Sequence, residues 1–199
     1  MPRPARSLAA AALLALAAAA LPSSAAADER STYVVLKGGG YFPTVSLDVV
    51  LGGSLEPIQS LDPNVAFELG IGGEWGFIGA QLSAGFYRTG NATVDVNAFP
   101  ITGVLQLRIP LLFVVPYAEA GVGAWITSAE YIPTNESSTK VAFEALAGLG
   151  VDLHLGAFLL GAEAKYIWVQ PIYTWTSVPS TVKLQENGVV ATANLGYRF

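Results

Sequence analysis

The chain has 199 residues, enough for one domain. Only 13% are charged, about half the share of an ordinary soluble domain, and the formal net charge is −5. The sequence holds no cysteine and no basic patch; this excludes disulfides, thiolate metal sites, a cysteine nucleophile, a lipid-anchored cysteine and nucleic acid as a partner.

The N-terminus comes first. Arg3 and Arg6 precede an Ala/Leu run over residues 8–21, and Ala25, Ala26 and Ala27 supply small residues before Asp28. That run is shorter than the roughly 20 residues a spanning helix needs, so residues 1–27 read as a secretory signal peptide cleaved after Ala27. Removing it leaves a single domain over 28–199 with a more acidic balance, because both lost charges are arginines.

From there the chain alternates with period two, the signature of strands with one apolar and one polar face. The stretch 33–41 is weak: it carries Lys37 and a Gly38-Gly39-Gly40 run that invites a bulge. In 65–74, Val65, Phe67, Leu69 and Ile71 oppose Ala66, Glu68, Gly70 and Gly72. In 77–86, Ile78, Ala80, Leu82, Ala84 and Phe86 oppose Gly79, Gln81, Ser83 and Gly85. The same split recurs in 101–109, 118–126, 143–155, 160–168 and 189–199. That makes eight strands of membrane-crossing length, about nine to eleven residues when tilted.

The links alternate in length. Residues 41–65, 88–96, 128–141 and 171–188 are long; 74–77, 110–114 and 154–158 are short. An all-β, transmembrane, antiparallel up-and-down barrel of eight strands has this pattern, with longer extracellular loops and short periplasmic turns. Aromatic residues gather at strand ends as two girdles: Tyr33, Trp75, Phe77, Phe113, Phe158, Tyr197 and Phe199 below, Phe42, Phe86, Trp125, Tyr166 and Trp168 above. Trp125 lacks lipid-facing parity and is expected at a rim.

The polar parity is rich in glycine, which marks it as the crowded inside of a narrow barrel. Lys37, Glu68, Arg108, Glu119, Glu144, Asp152, Glu163, Lys165 and Arg198 all share it. Burying them requires pairing. Adjacent strands offer Lys37 with Glu68, Arg108 with Glu119, Glu144 with Lys165, and Glu163 with Arg198. Two readings stay open: a charge network that plugs the lumen, or a gated ion path. Five acids against four bases come close to neutralising one another, which favours the plug.

Nothing in the sequence calls for catalytic residues, a bound metal or any cofactor. His154 is the single histidine, beside a short turn, and Asp152 shares its face. Residue 156 is Gly, so no His-x-Ser pair exists for nucleophilic attack. The long loops are apolar: Val45, Leu47, Val49, Val50 and Leu51 in the first, Ile172, Tyr173, Trp175 and Val178 in the last. They either extend the barrel wall or line a mouth for a small apolar ligand.

With the strands laid out, the chain resembles the small eight-stranded outer-membrane β-barrels of Gram-negative bacteria, the OmpA-, OmpX- and OmpW-like superfamily. The resemblance is carried by the signal peptide, by the runs Pro116-Tyr117-Ala118-Glu119-Ala120-Gly121-Val122-Gly123 and Gly161-Ala162-Glu163-Ala164-Lys165-Tyr166, and by the final Asn194-Leu195-Gly196-Tyr197-Arg198-Phe199. It implies residence in the outer membrane, contact with its lipids and a monomeric state. It also implies an assembly signal, Leu195, Tyr197 and Phe199, read by the barrel-assembly machinery. It leaves two functions open, a barrel that admits or binds small apolar molecules and a sealed surface-interaction barrel, with a lipid-modifying enzyme third.

Overall fold

The computed structural model describes residues 30–44, 46–51, 54–60, 62–90, 94–132, 136–170, 181–183 and 186–199. The expected signal peptide lies outside them. Eleven strands are described: β1 (Arg30–Pro43), β2 (Ser46–Leu51), β3 (Ser54–Ser60), β4 (Asn64–Trp75), β5 (Ile78–Gly90), β6 (Val94–Arg108), β7 (Val114–Tyr131), β8 (Glu136–Leu155), β9 (Phe158–Val169), β10 (Thr181–Lys183) and β11 (Gly188–Arg198). Eight of them close into an antiparallel barrel in the order β1-β11-β9-β8-β7-β6-β5-β4. Closure through the β1–β11 pair, Tyr33↔Arg198 to Pro43↔Gly188, leaves no sheet edge to satisfy in hydrocarbon.

The alternation sets the faces. Leu105 and Leu107 on β6, Val122 on β7 and Leu149 on β8 are 57–68% exposed on the outer wall, where lipid replaces water. Their neighbours Val104, Gln106, Arg108 and Glu119 are buried inside. Glycines at +60° and +68° in φ, Gly76 and Gly156, make the tight turns β4–β5 and β8–β9. The bulge expected at Gly38–Gly40 is absent: β1 keeps constant register with both neighbours through Gly38↔Ala193, Gly39↔Thr192 and Gly40↔Ala191. What glycine permits there is close approach. A Cβ at Gly39 would run into the Ala191 carbonyl.

The upper half differs from expectation. The links expected over 88–96 and 128–141 are largely strand: β5 and β6 pair up to Gly90↔Asp95, and β7 and β8 up to Tyr131↔Glu136. Strands β7 and β8, with 18 and 20 residues, exceed what a crossing requires and rise above the membrane as one sheet. The first long link folds into the β2–β3 hairpin, and β10 adds to β2, giving a separate three-stranded sheet. Leu47, Val49, Val50 and Leu51 fall on β2; Val45, Ile172, Tyr173, Trp175 and Val178 lie outside the described residues.

The girdles are largely where the pattern puts them. Trp75, Phe77, Phe113, Phe158, Tyr197 and Phe199 are exposed at the lower rim, and Phe42, Tyr166 and Trp168 at the upper. Tyr33 and Trp125 are corrections. Each has inward parity, and each is buried in the lumen, at 2% and 1% exposure.

The lumen as candidate functional site

All nine inward charges expected from the sequence point into the barrel. Eight are buried; Arg198, one residue from the described end, stays part-exposed at the lower opening. The four expected pairings do not form. Lys37 lies directly opposite Glu68 in register, but its ammonium pairs with Glu163 on β9, across β11. In so narrow a lumen long side chains meet near the axis, so reach across it outweighs adjacency on the wall. Glu144 and Lys165 fail for another reason. Lys165 lies opposite Gly148, four positions along β8 from Glu144. Arg198 is likewise six positions from Thr192, the residue opposite Glu163.

At the lower end Arg108 is the hub. Its Nη2 lies 2.8 Å from Asp152 Oδ2 and 3.0 Å from Glu74 Oε1, and its Nη1 donates to Gln106 Oε1 at 2.7 Å. The guanidinium also sits over the Tyr117 and Tyr33 rings, 5.2 and 5.9 Å from their centroids. His154 Nδ1 accepts from Arg198 Nη1 at 2.6 Å, while its Nε2 faces Arg108 Nη2 at 3.5 Å. The histidine is therefore hemmed in by two permanent cations.

The middle layer is a chain of alternating charge. Lys165 Nζ lies 2.6 Å from Glu68 Oε1 and 3.1 Å from Glu163 Oε1. Glu163 also accepts from Tyr117 at 2.9 Å, and Glu68 accepts from the Tyr87 hydroxyl. Glu119 is held by Gln106 Nε2 at 3.2 Å, and Glu144 by the Thr102 hydroxyl. Among the described residues neither of those two acids has a basic partner within ion-pair distance.

Above this layer the lumen turns apolar. Tyr41, Tyr87 and Trp125 pack ring to ring, with centroids 5.3–6.1 Å apart, among Ala66, Ala98, Leu146, Ile167, Val169 and Val190. Two residues leading into β11 descend onto this floor. Glu186 accepts from Trp125 Nε1 and, at 2.8 Å, from Thr127 Oγ1, while its carbonyl accepts from the Tyr41 hydroxyl at 2.6 Å. Asn187 accepts from the backbone N–H groups of Val169 at 2.8 Å and Thr44 at 2.9 Å.

Sequence reasoning missed Glu74, Glu186 and the aromatic layer. Glu74 continues the inward parity of Glu68, Gly70 and Gly72, so one more step along β4 reaches it. Glu186 precedes its strand and carries no parity signal. The expected assembly residues Leu195, Tyr197 and Phe199 lie on the outer wall, 46–60% exposed.

An apolar outer wall, two aromatic belts, a charged packed lumen and a closed eight-stranded sheet define an integral protein of the bacterial outer membrane. The chain belongs to the outer membrane protein beta-barrel domain family, which residues 10–199 match. Among solved structures it is similar to Neisserial surface protein A, with TM-score 0.61 and 13% identity over 86% of this chain and 100% of that one. The outer membrane protein OprG from Pseudomonas aeruginosa gives 0.58 and 17% over 84% and 95%. A major outer membrane protein from Thermus thermophilus gives 0.56 and 12% over 86% and 100%. At such identities the likeness is one of fold. No curated protein matches the chain.

Proposed function

We propose that this is a non-enzymatic, sealed barrel whose lumen is a structural plug and whose interactions are made at its extracellular end. One observation carries the reading. Inward side chains through the middle and upper lumen, Lys37, Glu144, Ile167 and Trp125, are 0–2% exposed. A water-filled passage would expose such groups to solvent, and an ion path would need them hydrated. The wall contacts outer-membrane lipids, the assembly machinery reads the outward Leu195, Tyr197 and Phe199, and the protein acts as a monomer.

The test is conductance of the purified protein in planar bilayers. The sealed reading expects no channel steps at any voltage; reproducible single-channel currents would overturn it. A narrower role, holding small apolar molecules at the mouth rather than passing them, draws support from the apolar floor of Tyr41, Tyr87 and Trp125. It expects a rise in unfolding temperature with an apolar probe such as an alkylbenzene, and no shift would count against it.

A further inference from the structure

Glu186 is a buried acid in the apolar part of the lumen, away from every ion pair described above. It is 3% exposed, and its two side-chain donors, Trp125 Nε1 and Thr127 Oγ1, both serve Oε2. Its Oε1 is buried and has no hydrogen-bond partner among the described residues.

Among the described residues the groups around it offer no compensating charge. From β1 comes Tyr41, whose hydroxyl serves the Glu186 carbonyl. From β5 comes Tyr87, whose hydroxyl is turned down to Glu68. On β8, Glu144 lies one layer below, across from Gly123, and is itself an acid. Lys140, across from Thr127, is exposed and makes no ion pair with it among the described residues. The lumen bases are committed lower down, Lys37 and Lys165 to Glu163 and Glu68, Arg108 to Asp152 and Glu74.

We propose that Glu186 is a proton-operated latch. As the neutral acid it seats residues 186–187 on the Trp125–Tyr41–Tyr87 floor. As the carboxylate it leaves for water, and uncovers that floor at the extracellular mouth. The cost of an uncompensated charge in an apolar layer drives the release. Apart from the Trp125 and Thr127 donors to the carboxyl itself, the described hydrogen bonds that hold the segment run from Tyr41 to the Glu186 carbonyl, from Val169 to Asn187, and from the Thr44 N–H and hydroxyl to Asn187, all at the mouth.

Burial holds the Glu186 carboxyl up at about 7, against its two donors, which lower it. The seated form thus binds the proton more tightly than the released form. Seating is strongest below the ordinary carboxylate range near 4.5, weakens as pH rises, and has lost this support above about 7.

The inference adds to the sealed-barrel reading without using conductance, so either can fail alone. Trp125 is its reporter. The sequence has four tryptophans, so the W75F/W168F/W175F triple variant isolates it. In detergent or lipid nanodiscs, with folding checked by gel mobility without boiling, its emission should move to the red and its quenching by acrylamide should rise by about twofold between pH 5 and pH 8. In the same background E186Q should give an emission independent of pH, whatever its wavelength. Emission that does not titrate in the parent would overturn the latch, and so would a titration that survives E186Q.

Discussion

Lys165 shows most directly what a single side chain does in this lumen. It touches two carboxylates, Glu68 and Glu163, and is buried with both. Removing one partner from such a cluster leaves the others desolvated and uncompensated, which costs more than the attraction itself is worth. Lys165→Met should therefore destabilise the barrel by about 3–5 kcal/mol, read as a lowered urea midpoint for the folded band in lipid vesicles. An unchanged midpoint would mean that water reaches these acids. The sequence made the presence of these charges legible, since parity alone sends Glu68, Glu163 and Lys165 inward. It could not make their partners legible, because a pair across the lumen depends on stagger around the whole barrel, which no single strand encodes.

At the level of strands, legibility followed contrast between the faces. Where small or charged residues oppose apolar ones, as in β6 from Ile101 to Arg108, the alternation marked the strand's lower end to within a residue, though β6 itself begins at Val94. It failed at the top of β5, β6, β7 and β8. There the inward residues Tyr87, Val96, Ala98 and Trp125 are apolar or aromatic while outward neighbours such as Arg88, Asp95, Asn97 and Glu130 are polar, so the two faces exchange character, and in β8 the run Glu136–Lys140 is polar throughout. Depth on the outer wall gives the test that belongs here. Leu82 sits midway along β5, opposite Gly103, whereas Leu107 lies opposite Ile78, two residues past the lower turn. Leu82→Arg should cost about 2–4 kcal/mol and Leu107→Arg about 0–1, since burying a cation costs most at mid-bilayer. Equal costs for the two would move the membrane midplane away from Leu82.

For the molecule as a whole, location and architecture were the legible part, and the identity of anything bound at the mouth was not. Every lipid-facing strand contributes to the first, while the second rests on a few residues such as Glu186 that follow no period. The protein should fractionate with outer membranes and run at a different gel position unless boiled, because a closed barrel resists detergent at room temperature. A single position with and without boiling would count against closure. The lumen ion pairs bear on how closure is reached. Lys37–Glu163, Lys165–Glu68 and Arg198–Glu74 each join the first two barrel strands, β1 and β4, to the last two, β9 and β11. The opening strands bring one base and two acids, the closing strands two bases and one acid. A half-zipped sheet would leave Lys37 and Glu68 without the partners that β9 brings them. Docking β1 against β11 supplies those partners together, so the two ends of the barrel should lock to each other cooperatively.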